Sequence, residues 1–118
     1  MLPIEYRLRK KTDIDALFAK GRLVFDSLVT IKYRKTQLST PRFAVVVGTK
    51  LSKRAVNRNK IRRRIRASIA DHLNHLNGGY DIAIIAKPLA LKAKYEVLRL
   101  SVSSSLKKTG VLKDPIKL

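Results

Sequence analysis

Basic side chains three and four apart on one helix can grip successive phosphates, and residues 50–66 hold nine of them with no acid. Lys50, Lys53, Arg54, Arg58, Lys60, Arg62, Arg63 and Arg66, with Asn59 among them, are the candidate binding residues. Arginine suits the task because its planar fork donates two parallel hydrogen bonds to a phosphate and stacks on bases. Asn59 adds an amide and a carbonyl that reach a phosphate, a 2′-hydroxyl or a hydrated metal ion. Like charges four apart destabilise a helix by a few tenths of a kcal/mol per pair. A segment that keeps so many is held for an anion. The bland alternative is a solvated face whose long stems cover the core, and Asn57 has its own as a helix N-cap.

The rest of the chain agrees on the sign of the partner. Its 118 residues carry 27 Lys and Arg against eight Asp and Glu, a formal net charge of +19. Residues 27–70 contain no acid and 13 basic residues, so the charge is gathered rather than spread. Such a chain repels itself and calls for a polyanion, nucleic acid first and anionic lipid second.

Other chemistry finds little support. With no cysteine there is no thiolate nucleophile and no cysteine zinc site. His72 and His75 are two ligands at most, and the carboxylates are scattered singly, so neither a metal site nor a catalytic residue is expected of the protein. No glycine-rich phosphate loop is present. No apolar run of about 20 residues spans a membrane, and residues 1–7 do not make a signal peptide. The chain is read as cytoplasmic.

The elements that must position the basic segment follow from periodicity. Hydrophobic residues make up 45% of the chain, enough for the core of one domain over 1–118. Thr12 is placed to cap a first short helix, Asp13 and Asp15 suit its positive end, Ile14, Leu17 and Phe18 share a face, and Gly21 ends it. Strands are expected over 28–33, 43–47 and 80–86, with a further short one around 23–25. A long helix over 55–76 buries Ile61, Ile65, Ile69 and Leu73 and presents Arg58, Arg62 and Arg66 as a second stripe. A last helix over 94–108 turns Tyr95, Leu98, Val102 and Leu106 inward. The fold class is α+β, a small sheet with helices against it in the order αβββαβα. Residues 110–118 read as a loosely held tail.

The segment 55–66, with Arg58, Asn59, Ile61, Arg62, Arg63 and Arg66 in register, resembles the signature helix of the bacterial ribonuclease P protein family. Lys60 stands where that family has Arg, keeping charge without the bidentate fork. Residues 7–21, 42–50 and 80–88 resemble its opening helix, the strand entering the signature and its later strand, in the right order. The resemblance implies a left-handed crossover between parallel strands through the central helix, where general rules predict the right-handed form. It implies that the signature helix faces a catalytic RNA, and that a cleft between first helix and sheet takes the 5′ leader of precursor tRNA. The chain would then be the non-catalytic subunit of a Mg²⁺-dependent endoribonuclease, the Mg²⁺ held mainly by the RNA, with no membrane and no obligate protein partner.

Cleft residues carried over on this basis are Ile14, Phe18, Lys32 and Tyr33. Two depart from the family pattern: Ile14 replaces an aromatic, and Lys32 falls on a strand position usually aromatic, with Tyr33 beside it. Phe18 has plain core burial as its alternative. A ribosomal or other structural RNA-binding protein, or an anionic-membrane module, would share the charge without needing the cleft.

Overall fold

The computed structural model describes residues 2–113. In chain order these form α1 (Lys11–Lys20), β1 (Arg22–Phe25), β2 (Val29–Lys35), β3 (Arg42–Val46), α2 (Ala55–Ala70), β4 (Tyr80–Ala86) and α3 (Tyr95–Thr109), with three short 3₁₀ turns between them. The order is the αβββαβα expected.

The sheet runs β1-β2-β4-β3. β4 lies between an antiparallel β2 and a parallel β3. That central place explains its nearly unbroken apolar sequence, since both of its faces are covered. The parallel pair requires a crossover, and α2 supplies it.

One face of the sheet carries the main core. Val29, Ile31, Phe43, Ile82 and Ile84 meet Ile61, Ile65 and Ile69 of α2 and Leu98, Val102 and Leu106 of α3, all essentially inaccessible to water. Each fully buried aliphatic side chain of this kind is worth roughly 1.5–3 kcal/mol. Ser68, Ser101 and Ser105 are buried as well; Ser68 and Ser105 donate to the carbonyls of Arg64 and Ser101 one turn back, which leaves no hydroxyl unsatisfied.

The opposite face holds a smaller cluster, in which Leu17 and Ile14 of α1 rest on Ala83 and Ala44 with Leu8. The two alanines let the helix lie close to the strands. Gly21 serves the same approach: a Cβ there would stand 2.5 Å from the Leu17 carbonyl oxygen and 2.9 Å from Lys32 Cγ.

Three expectations are corrected. Thr12 does not cap α1, which begins one residue earlier behind Lys10 with no side-chain cap. The central helix stops at Ala70 rather than 76. The His72 amide bonds the Ile69 carbonyl three residues back, and Leu73–His75 continue as a 3₁₀ turn. Asn74, Asn77, Gly78 and Gly79 are poor helix formers and favour that break. The tail is docked where it is described: Val111 and Leu112 are buried, Leu112 bridges Leu76, and Lys113 bonds the His75 carbonyl. Residues 114–118 lie outside the described residues.

Candidate nucleic-acid interface

The basic segment divides between the loop after β3 and the helix α2. Lys50, Lys53, Arg54, Lys60 and Arg63 are exposed. Arg58 and Arg62 are half-buried because they also brace the loop. Arg58 donates from Nη1 to the carbonyls of Ser52 and Lys53, at 3.0 and 2.8 Å. Arg62 reaches the Val47 carbonyl at 3.2 Å and the Asn59 side-chain oxygen at 2.7 Å. The Asn59 oxygen is thus held by Arg62, and its amide nitrogen is free to donate to a ligand. Asn57 is not the N-cap, a place held by Arg54; its amide donates to Ser52 Oγ at 3.0 Å.

α2 presents its charge on two sides. Arg66 faces a hollow of about 410 Å³ shared with Arg7, Arg9, Ile14 and the end of β3. Lys60, Arg63 and Arg64 line a shallow groove of about 540 Å³ with Tyr95. Sequence reasoning singled out neither Arg7 and Arg9 nor Tyr95 as site residues, although the run Arg7-Leu8-Arg9-Lys10-Lys11 was a signal.

Strand register defines the α1 face. Leu23, Lys32, Ala83 and Ala44 stand opposite one another across the four strands, and Phe25, Thr30, Ile85 and Val46 form the next row. Residues directly paired across strands project to one face, so both rows share the side on which α1 lies. Lys32 Nζ sits 5.7 Å from the centre of the Phe18 ring, within cation–π reach. Phe18 is 36% exposed, whereas its neighbour Leu17 is fully buried, so Leu17 fills the core and Phe18 borders open space. Leu23 and Phe25 are 50% and 64% exposed on the same face. Ile14, Phe18 and Lys32 thus lie on the α1 side of the sheet.

Tyr33 does not join them. A strand alternates sides with each residue, and Tyr33 points to the α2–α3 side, against the main core. The exposed aromatic on the cleft side is Phe25, which sequence reasoning missed. Its signal was the pair Leu23 and Phe25 two apart on a short strand, apolar where a solvated face would be polar.

A family model described as Ribonuclease P matches residues 2–110. The chain belongs to the ribonuclease P protein family. It is 30% identical to the ribonuclease P protein component of a Cyanothece species, over 95% of this chain and 98% of that one. The solved structure of the Staphylococcus aureus RNase P protein superposes with a TM-score of 0.83 at 28% identity, over 92% of this chain and 98% of that one. The Thermotoga maritima RNase P protein shares the fold, with a TM-score of 0.78 at 24% identity over 86% and 96% of the two chains. The role that follows is that of a ribonuclease P subunit with an RNA partner, active in tRNA processing, rather than of a ribosomal or other structural RNA-binding protein. No helix among the described residues is long and apolar enough to cross a membrane.

Within this ribonuclease P protein the carboxylates are mostly committed to structure. Asp81 and Asp13 hold Arg42, Asp71 meets Arg99, and Asp26 accepts from Ser27 and Ser101. No three acidic, histidine or cysteine side chains gather to hold a metal among the described residues. His72 accepts or donates at 2.6 Å to Ser103 Oγ, and burial lowers its pKa, with Arg99, His75 and Lys107 adding to the shift against the opposing charge of Asp71.

Proposed function

We propose that the chain is the non-catalytic protein subunit of ribonuclease P, which holds the catalytic RNA with α2 and the 5′ leader of precursor tRNA in the cleft under α1. The arrangement that carries this reading is the contiguity of the two surfaces. Arg66 of α2 and Ile14 of α1 line one hollow, and from there the open rows of the sheet lead across Lys32 to Phe25.

Lys50, Lys53, Arg54, Arg58, Asn59, Lys60, Arg62, Arg63 and Arg66 meet RNA phosphates, the exposed members as free cations. Arg58 and Arg62 act as fixed ones, aimed by the carbonyls they already hold. In the cleft, Phe18 and Phe25 offer faces on which leader bases stack, Ile14 an apolar wall, and Lys32 a cation for the backbone. Such stacking tolerates any base because every base has a π-face. Tyr33, turned to the other side, has no part in the cleft.

Chain cleavage, and the Mg²⁺ it requires, belong to the RNA. The protein contributes by neutralising phosphate repulsion where the two RNAs meet. Precursor tRNA is a cytoplasmic substrate, and there we place the complex.

The test is cleavage of a 5′-extended precursor tRNA at low Mg²⁺ by bacterial ribonuclease P RNA, with and without this protein and beside the protein alone. Cleavage at the mature 5′ end only when both are present supports the reading. Unchanged RNA activity despite binding overturns it.

A further inference from the structure

Lys20, Arg22, Arg34 and Lys35 crowd one end of the sheet, and none of them pairs with a carboxylate among the described residues. They rim a hollow of about 410 Å³ with Tyr33 and Tyr80. Register builds it: Arg22 stands opposite Tyr33, and Lys35 opposite Tyr80. Thr109, in the last turn of α3, closes the far wall. Gly110 makes that wall possible. Its φ of 89° is left-handed, and a Cβ there would lie 2.9 Å from the Tyr80 hydroxyl, so the phenol rests where a side chain would otherwise stand.

This hollow lies past the end of the cleft. Arg22, Tyr33, Lys35 and Tyr80 project away from α1, on the side opposite the cleft, while Lys20, the last residue of α1, and Arg34, which alternation turns to the α1 side, close it around the sheet end. They sit at the end of the sheet where β4 begins, whereas α2 starts beyond Val46, at the end where β4 finishes.

Four unpaired cations in one concavity repel one another in a chain already at +19. Lys107 and Lys108 offset the negative end of the α3 dipole nearby, so the hollow keeps its positive sign. Its volume lies in the range of a small-ligand pocket and suits a nucleotide unit. Arginine forks bind phosphate oxygens in pairs, and the tyrosines add neutral hydroxyl donors and ring faces.

We propose that this hollow is a second RNA site, in which Arg22, Arg34 and Lys35 hold backbone phosphates and the two tyrosines flank the adjoining nucleotide. The proposal rests on the chain's partnership with RNA, but not on the roles given to α2 or to the cleft. The phosphate belongs either to the catalytic RNA or to precursor tRNA.

The experiment compares the triple variant Arg22→Ala/Arg34→Ala/Lys35→Ala with Lys92→Ala/Lys94→Ala/Lys113→Ala, which removes the same charge from exposed positions elsewhere. Affinity for ribonuclease P RNA is measured on the protein, and affinity for precursor tRNA on the RNA–protein complex, each between about 50 and 200 mM salt. For at least one RNA the first triple should lower the slope of log K against log salt by about two to three, and the control by less than one. The RNA that responds is the source of the phosphate. Equal slopes for the two triples with both RNAs overturn the proposal. So does a triple that loses retention on phosphatidylglycerol vesicles while keeping its RNA affinity, which would assign the hollow to lipid. Thermal unfolding of each variant checks the fold, and the single Lys35→Glu, at an exposed strand end, repeats the test with less perturbation. Arg63→Ala run alongside separates failure here from failure of the α2 assignment.

Discussion

Arg42 and Asp81 form a two-pronged ion pair at the start of two parallel strands, Nε to Oδ1 at 2.9 Å and Nη2 to Oδ2 at 2.8 Å. The third guanidinium nitrogen reaches Asp13 on α1 at 3.3 Å. One side chain therefore ties β3 to β4 and the first helix to the sheet. The hydrogen bonds it donates to Asp81 raise the Arg42 pKa, so this cation is fixed at any working pH. Arg42 sits in the acid-free stretch of the sequence, yet its charge is turned inward.

Breaking that pair by Arg42→Ala leaves the Asp81 carboxylate buried and alone. The expected loss is about 2–4 kcal/mol, toward the lower side for a buried pair because Arg42 keeps some contact with water. Asp13→Ala, which removes only the more exposed arm, should cost less than about 1 kcal/mol. Urea unfolding of the two variants measures both, and equal losses would contradict the division of roles.

Phe18 and Phe25 should separate stability from leader binding. Phe25 is mostly exposed, so Phe25→Ala is expected to change stability by no more than about 0.5 kcal/mol. If bases stack on it, leader affinity in the complex falls by about 1–3 kcal/mol, roughly 5- to 150-fold. Precursor tRNA with a leader, compared with tRNA lacking one, is the readout. Phe18→Ala should follow the same pattern, and a large stability loss with unchanged leader discrimination would return it to the core.

Arg58 and Arg63 lie five apart on α2 and should answer differently to removal. Arg63 makes no hydrogen bond to the protein among the described residues, so Arg63→Ala should leave the melting temperature in place and weaken catalytic RNA binding. Its salt slope should drop by about one. Arg58 holds two loop carbonyls, so Arg58→Ala should lose RNA affinity and also about 1 kcal/mol of stability. Calorimetry beside binding at two salt concentrations distinguishes them.

Much of this was legible because local period fixes local structure. The four-residue spacing of Ile61, Ile65 and Ile69 set α2 on the core, and the apolar run of β4 announced a strand covered on both faces. The limits lie where distant residues decide. Whether Arg42 is a free cation depends on Asp81, 39 positions away. The end of α2 depends on a bond from His72 to Ile69 competing with continued helix, a choice that stripe periodicity does not register. Tyr33 is a different case: alternation from Lys32 already placed it on the far side, and Phe25 could have been found by the same rule. Val111 and Leu112, apolar beyond a glycine that ends a helix, likewise signalled a docked segment rather than a loose one.

Acid should loosen the contact between the β1–β2 hairpin and α3 through Asp26. Burial pushes this carboxyl's pKa up, but hydrogen bonds from the Ser27 amide and from the Ser101, Ser27 and Ser104 hydroxyls outweigh it, and the pKa ends lowered. A carboxyl with a depressed folded-state pKa binds fewer protons folded than unfolded. Its stabilisation is present above the unfolded value near 4 and is lost as pH falls through the folded one. Ser101 Oγ donates to Asp26 at 2.9 Å and lies 3.4 Å from the Leu28 amide, so the network joins α3 to the sheet. Asp26→Ala should cost about 1–3 kcal/mol at neutral pH and flatten the stability profile below pH 4. His72 acts in a higher window. With its folded-state pKa lowered by burial, the folded protein resists protonation, and stability should begin to fall as pH drops below the unfolded value near 6.5. His72→Gln should remove that upper phase and leave the acid phase of Asp26 intact. Urea midpoints from pH 3 to 8 resolve the two, and a profile in which Asp26→Ala removes neither phase would refute the assignment of the lower one.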